Sequence, residues 1–164
     1  MAGPRRLVVL RHAKAASAPG LVDIERPLAE RGEQDATAAG RQLRATGVVP
    51  DLVVCSTARR TRQTWDLVAA ELQADPRVSY EERVYDNDVD KLLDLVRETS
   101  PDVGTLLLVG HNPASQQLAS LLTGEAVVGD SFPTCALVVI DFDEEWPDVN
   151  EGGGRLEDFW TPQR

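Results

Sequence analysis

The sequence predicts a three-layer α/β/α sandwich around a mostly parallel sheet, and three observations lead there. Four apolar runs, LVVL (7–10), LVVC (52–55), TLLLVG (105–110) and ALVVIDF (136–142), show no polar alternation, as expected for strands buried on both faces. Segments with helical periodicity lie between them. Polar, glycine or proline residues bound each run, and strands that alternate with helices build parallel sheets. At 164 residues, with 42% apolar and 27% charged, the chain is expected to form one domain over 1–164.

The first strand, LVVL, ends directly in Arg11 and His12. A helix follows in LAERGEQDATAAGRQLRATG, with Ala36, Ala39 and Leu43 on one face and Gly47 as its stop. After LVVC, the segment ARRTRQTWDLVAAELQ sets Trp65, Val68, Ala69 and Leu72 at helical spacing. RVSYEERVY (77–85) reads as a fifth strand, and VDKLLDLVRE as a helix carrying Leu92, Leu93 and Val96. NPASQQLASLLTG starts on an Asn-Pro turn and stops at Gly124. RLEDFW (155–160) reads as an edge strand, and the acidic stretch from 141 to 160 as a hairpin closing that edge, turning near EGGG.

Charge and composition exclude several classes. With 27 acidic against 17 basic residues, the formal net charge is −10. A nucleic-acid backbone or an anionic membrane is therefore not an expected partner, although a local positive pocket can still take a small phosphate. Cys55 and Cys135 form no CxxC and have no neighbouring histidine to complete a metal set. They fit a reduced compartment and leave a single disulfide open. The apolar run near the N-terminus is too short for a signal sequence, and no segment approaches the roughly 18 apolar residues of a membrane span. A cytoplasmic location is expected.

Ligands of open α/β sheets collect at the carboxyl ends of the strands. Three runs end there in LRH, CSTARRTRQT and GHN. Both histidines, His12 and His111, and two arginines, Arg11 and Arg60, meet at that edge. Each has a structural reading on its own: a strand-end histidine, a solvated helix face over Arg59, Arg60 and Arg62, a helix start at Gly-His-Asn-Pro. Their coincidence points to phosphate chemistry. Guanidiniums donate paired hydrogen bonds to phosphate oxygens. A neutral imidazole whose other nitrogen donates to a carbonyl is a nucleophile at phosphorus. A second, protonated imidazole stabilises charge on the equatorial oxygens. Helices starting after STAR and GHN are expected to add backbone N–H donors and a favourable dipole.

Four ordered motifs carry a resemblance to the histidine phosphatase superfamily, also called phosphoglycerate-mutase-like, in its short SixA-type phosphohistidine phosphatase branch. LRHAK resembles the Arg-His-Gly signature, and ERPLAERGEQDA the RPLTxxGxxQA segment through Arg26, Pro27, Leu28 and Gly32. CSTARRTRQTWDLV resembles SPxxRAxQTA, with Ser56, Arg60, Gln63 and Thr64 in register, and LLLVGHNP resembles the segment of the second histidine. The resemblance spans roughly residues 6 to 125. It implies a phosphoglycerate-mutase-like fold and a phosphatase in which His12 becomes phosphorylated, Arg11, Arg60 and His111 clamp the phosphoryl oxygens, and water completes hydrolysis without metal or cofactor. Ala13 replaces the family glycine, which matters only at positive φ, and Thr57 replaces the usual proline.

Many family members protonate the leaving oxygen with a carboxylic acid, and Asp86 in RVYDND is the best positional match, with Glu82 and Asp88 as competitors. Lys14 and Arg26 are further candidates for substrate binding. Imidazole leaving from phosphohistidine is a much weaker base than an alkoxide and can dispense with such an acid. About twenty residues separate the fifth strand from TLLLVG, leaving little for a lid. The expected partner is thus a phosphorylated protein, with a small phosphate ester as the alternative, and mutase activity or a non-catalytic phosphate-binding module below it. A monomer is compatible with the sequence, which does not set the oligomeric state.

Overall fold

In a computed structural model describing residues 4–124 and 131–163, the apolar runs pair into one six-stranded sheet. Its strands are β1 (Arg5–Arg11), β2 (Leu52–Ser56), β3 (Arg77–Glu81), β4 (Thr105–Gly110), β5 (Leu137–Phe142) and β6 (Arg155–Trp160), in the spatial order β3-β2-β4-β1-β5-β6. The first four run parallel; β5 and β6 are antiparallel and form the expected hairpin at one edge. The helices are α1 (Glu30–Ala45), α2 (Arg59–Leu72), the short α3 (Glu82–Tyr85), α4 (Val89–Arg97) and α5 (Ala114–Thr123).

Both faces of the sheet are covered, which explains the missing polar alternation. Val8, Leu10, Val53 and Val109 face Ala36, Ala39 and Leu43 of α1 and Trp65 and Val68 of α2. Leu7, Val9, Leu106 and Leu108 face Leu92 and Val96 of α4 and Leu118 and Leu122 of α5. Cys55 and Cys135 are free and buried within the first of these cores. Gly47 and Gly124 follow α1 and α5 at φ of 73° and 87°, the left-handed stop that glycine takes without a Cβ penalty.

One expected element changes shape. The strand over 77–85 stops at Glu81, and residues 82–85 turn into α3. Three of the five β3 residues are exposed, because β3 is the opposite sheet edge and pairs only with β2. The apolar signal there was correspondingly weak, and polarity did not mark its end. Among the described residues no helix is long and apolar enough to cross a membrane.

The topology opens a crevice. From β1 the chain passes through α1 to β2, on the far side of β4; from β4 it passes through α5 to β5, on the far side of β1. Neighbouring strands thus send their connections to opposite faces, and the space beyond their carboxyl ends stays accessible. Arg11 pairs with Gly110 across this point, and the His12 amide donates to the Gly110 carbonyl at 2.9 Å.

Candidate active site

The four residues expected from the strand ends converge. The His12 and His111 ring centroids lie 5.2 Å apart, and Arg60 Nη2 stands 3.5 Å from His111 Nδ1. Arg60 and both histidines are buried.

His12 Nδ1 lies 2.7 Å from the Ala13 carbonyl oxygen. That oxygen can only accept, so Nδ1 carries the proton and Nε2 keeps its lone pair. The Ala13 amide donates to Thr64 Oγ1 at 3.0 Å, and the Thr64 hydroxyl donates to the Arg60 carbonyl at 2.7 Å. The first turns of α2 therefore hold the peptide that holds the ring. Gln63 acts alongside, its Oε1 accepting the Leu28 amide at 2.8 Å. Ala13 is not among the positive-φ residues, so it sits without strain where the resembled motif has glycine. Gly32 is required for a different reason: a Cβ there would overlap the Lys14 peptide behind the histidine loop.

Burial is the main force lowering the His12 pKa to about 4; the Ala13 contact opposes it, and the charges of Arg60, Arg11 and Arg26 add to it. At neutral pH the ring is an uncharged base. The protein's own groups act on His111 in the same direction as on His12. Burial first, then His12 and Arg60, lower its pKa to about 3. Its Nε2 lies 2.8 Å from Ser56 Oγ, while Nδ1 faces a guanidinium that can only donate. The protein's own groups thus favour neutral His111 with Nδ1 unprotonated. A phosphoryl dianion beside Nδ1 would reverse that balance by supplying the missing negative charge.

A stability prediction follows from these two rings. Their folded pKa values lie below 6.5, so the unfolded chain takes up protons first as pH falls, and native stability drops with it. The His12 contribution alone is expected to approach about 3 kcal/mol by pH 4. Denaturant unfolding between pH 7 and pH 4 measures this, and a flat stability across that window contradicts it.

Arg11 Nη1 donates to the Phe132 carbonyl at 3.0 Å. Its Nε is buried without a hydrogen-bond partner among the described residues, a donor turned toward no protein acceptor. Arg60 Nη1 donates to the Asp23 carbonyl at 2.9 Å, and Nη2 to Asp23 Oδ2 at 3.1 Å. Tyr85 donates its hydroxyl to the same Oδ2 at 2.7 Å, and its ring meets His111 edge-on at 5.6 Å. The segment before α1, folded back by an Ala15–Leu28 bridge and a 3-10 turn over Asp23–Glu25, therefore covers Arg60. The cover expected to be missing after β3 comes from before α1.

The secondary candidates divide. Arg26 joins the cluster through Asp23, its Nη1 lying 3.2 Å from Oδ1. Lys14 has an exposed side chain and contributes its backbone carbonyl, which accepts the Ala29 amide at 2.9 Å. Asp86, next to Tyr85, has a half-exposed carboxylate that takes Lys91 Nζ at 2.7 Å. Asp88 caps α4 by accepting from the Asp90 and Lys91 amides.

The α5 terminus also departs from expectation. Its Ala114 amide donates to Asn87 Oδ1 at 3.0 Å, and its Ser115 amide to the His111 carbonyl at 2.9 Å. These two donors are satisfied internally. Asn87 also donates its Nδ2 to the Asn112 carbonyl at 2.6 Å, from a left-handed backbone with φ of 59°. One side chain thereby spans the turn that carries His111. Asn87→Ala is expected to cost about 1–2 kcal/mol, as for a lost helix cap, and to lower kcat more than it raises KM. Thermal unfolding and steady-state kinetics check both effects.

Sequence reasoning gave no role to Ser56, Thr64, Asn87, Asp23 or Tyr85. Ser56 and Thr64 stand in a quoted motif, where the signal was available. Asp23 and Tyr85 had none: an aspartate three residues before an arginine looks like any surface carboxylate in a chain with 27 acidic residues.

A family model described as the histidine phosphatase superfamily (branch 1) matches residues 7–99. An uncharacterized protein of Mycobacterium tuberculosis is 37% identical over 162 residues, covering 94% of this chain and all of that protein. A solved structure from Nakamurella multipartitia, named as a candidate phosphohistidine phosphatase SixA, superposes with a TM-score of 0.86 at 34% identity over 98% of both chains. Another so named, from Agrobacterium tumefaciens, gives 0.85 at 32% identity over 98% of this chain and 99% of that one.

Proposed function

The chain belongs to the histidine phosphatase superfamily, in its SixA-type branch, and from that footing we propose that this phosphatase acts on protein phosphohistidine through a covalent phosphoryl-His12. The observation that carries the proposal is the 2.7 Å contact from His12 Nδ1 to the Ala13 carbonyl, which leaves Nε2 as a lone pair beside two guanidiniums and a second imidazole.

The substrate phosphoryl group binds between Arg11, Arg60 and His111, with Arg26 and Lys14 contributing positive field at the rim. Nε2 of His12 attacks phosphorus in line with the leaving nitrogen. The P–N bond breaks, its electron pair returning to the substrate imidazole, and His12 becomes an N-phosphorylated imidazolium with Nδ1–H still on Ala13. The guanidiniums stabilise charge on the equatorial oxygens, a preorganised effect commonly worth 10²–10³-fold per donor. Water then attacks the phosphoryl-histidine, and dihydrogen phosphate leaves neutral His12.

Two features support phosphohistidine over an alkyl phosphate. Asp86, the carboxylate offered as proton donor to an alkoxide, is paired with Lys91, and imidazole needs no such donor. Two solved relatives more than 30% identical are named as candidate phosphohistidine phosphatases. The buried free thiols Cys55 and Cys135 fit action in a reducing cytoplasm.

Comparing kcat/KM for a phosphorylated histidine-phosphotransfer protein with a panel of small phosphate esters tests the proposal. The phosphoprotein is expected to be the better substrate by about 10²-fold or more, the usual scale of the proton-donor assistance that an ester needs and an imidazole does not. Faster turnover of alkyl phosphates would favour the ester reading, with Asp86 as its acid.

A further inference from the structure

We propose that Asp23 is a specificity-determining carboxylate that accepts a hydrogen bond from the distal N–H of the substrate's phosphorylated imidazole, and so selects P–N over P–O substrates. The inference rests on the phosphohistidine reading above and assigns the leaving-group side of the same site.

Position comes first. Asp23 is half-exposed, whereas Arg60 and His12 are buried. It is thus more exposed than the guanidinium it binds. In an in-line displacement the leaving group departs opposite the nucleophile; with His12 buried, we take that exit to be the solvent side, to which Asp23 is exposed. Arg60 binds Asp23 through both of its terminal nitrogens, so a phosphoryl group on the same guanidinium brings its leaving group beside this carboxylate.

Capacity comes next. A carboxylate offers about four acceptor positions. Among the described residues, Oδ2 accepts from Arg60 Nη2 and Tyr85, and Oδ1 from Arg26 Nη1 alone. Oδ1 therefore keeps room for another donor.

The chemistry decides which ligand profits. Tyr85 foremost, together with Arg60 and Arg26, holds the Asp23 pKa down at about 2. At neutral pH it cannot hand a proton to an alkoxide. A phosphorylated imidazole has a different need. Its leaving nitrogen bears phosphorus, and lability comes from a proton on the other ring nitrogen. An anionic acceptor beside that N–H favours the protonated ring. The P–N bond then breaks to release neutral imidazole, with the same N–H on the distal nitrogen before and after transfer. No proton has to be delivered in the step. The residue that cannot serve as an acid for an ester is thus suited to an imidazole.

The test compares wild type and Asp23→Asn on phosphoimidazole and on p-nitrophenyl phosphate, whose leaving group also needs no acid. The ratio of kcat/KM, phosphoimidazole over p-nitrophenyl phosphate, is expected to fall roughly 10- to 100-fold in the variant, the scale of one hydrogen bond to a charged group. The basic limb of the phosphoimidazole pH profile is expected to move to lower pH in Asp23→Asn. An equal loss on both substrates means that Asp23 only orients Arg60, and overturns the inference while leaving the phosphohistidine reading intact. No wild-type turnover of phosphoimidazole or phosphohistidine overturns both. Should Asp23→Asn fail to fold, the wild-type basic limb decides: it is expected to lie above the pKa of free phosphoimidazole, and coincidence with that pKa contradicts the inference.

Discussion

His12→Ala is expected to abolish turnover while inorganic phosphate still binds. The imidazole is the proposed nucleophile, and alanine has no group to take its place, so kcat should fall by roughly 10⁴-fold or more. The phosphate clamp does not depend on that ring. Arg60 is held by Asp23 and the first turns of α2, Arg11 by the Phe132 carbonyl, and His111 by Ser56. Steady-state assays together with calorimetric titration of phosphate separate the two roles. Turnover retained within tenfold of wild type would remove His12 from the chemistry. Loss of phosphate binding with normal folding would mean that the clamp is assembled through the His12 ring.

Arg60→Lys is expected to cost about 10²–10³-fold in kcat/KM, although the charge is conserved. The guanidinium presents a planar fork and now serves three sites at once: the Asp23 carbonyl, Asp23 Oδ2 and His111 Nδ1. An ammonium is a point charge that cannot hold that geometry and also offer parallel donors to a phosphoryl group. The segment over Asp23–Glu25 loses its anchor as well, leaving Tyr85 and Arg26 on the carboxylate. Arg60→Ala is expected to be worse, since Asp23 then lacks its buried cation. Near-wild-type kinetics for Arg60→Lys would show that charge alone suffices and that the fork is incidental.

The contrast between these residues and Asp23 shows what could be read in advance. The buried strands were legible because burial on both faces demands unbroken runs such as Leu7–Leu10 and Leu106–Val109, which few other environments tolerate. The site was legible where it sits on those strand ends, because topology alone brings His12 and His111 together. β3 was read too long, since an exposed edge strand carries little apolar signal at its end. Asp23 and Tyr85 were invisible for a different reason. Their importance comes from a fold-back of the chain between β1 and α1 onto α2, a tertiary contact with no local pattern. The protonation of His111 was not legible either, because burial and the neighbouring guanidiniums, properties of the assembled site, lower its pKa and leave the charge to be set by an anion beside Nδ1.

The most direct measurement is to quench the enzyme during turnover of a phosphohistidine substrate and locate the phosphoryl group by peptide mass spectrometry under alkaline conditions that preserve N-phosphohistidine. One phosphoryl group on His12, absent from His12→Ala, is the expected result. Turnover with no phosphorylated His12 at any quench time, or a label on His111 instead, would contradict nucleophilic attack from the strand end of β1.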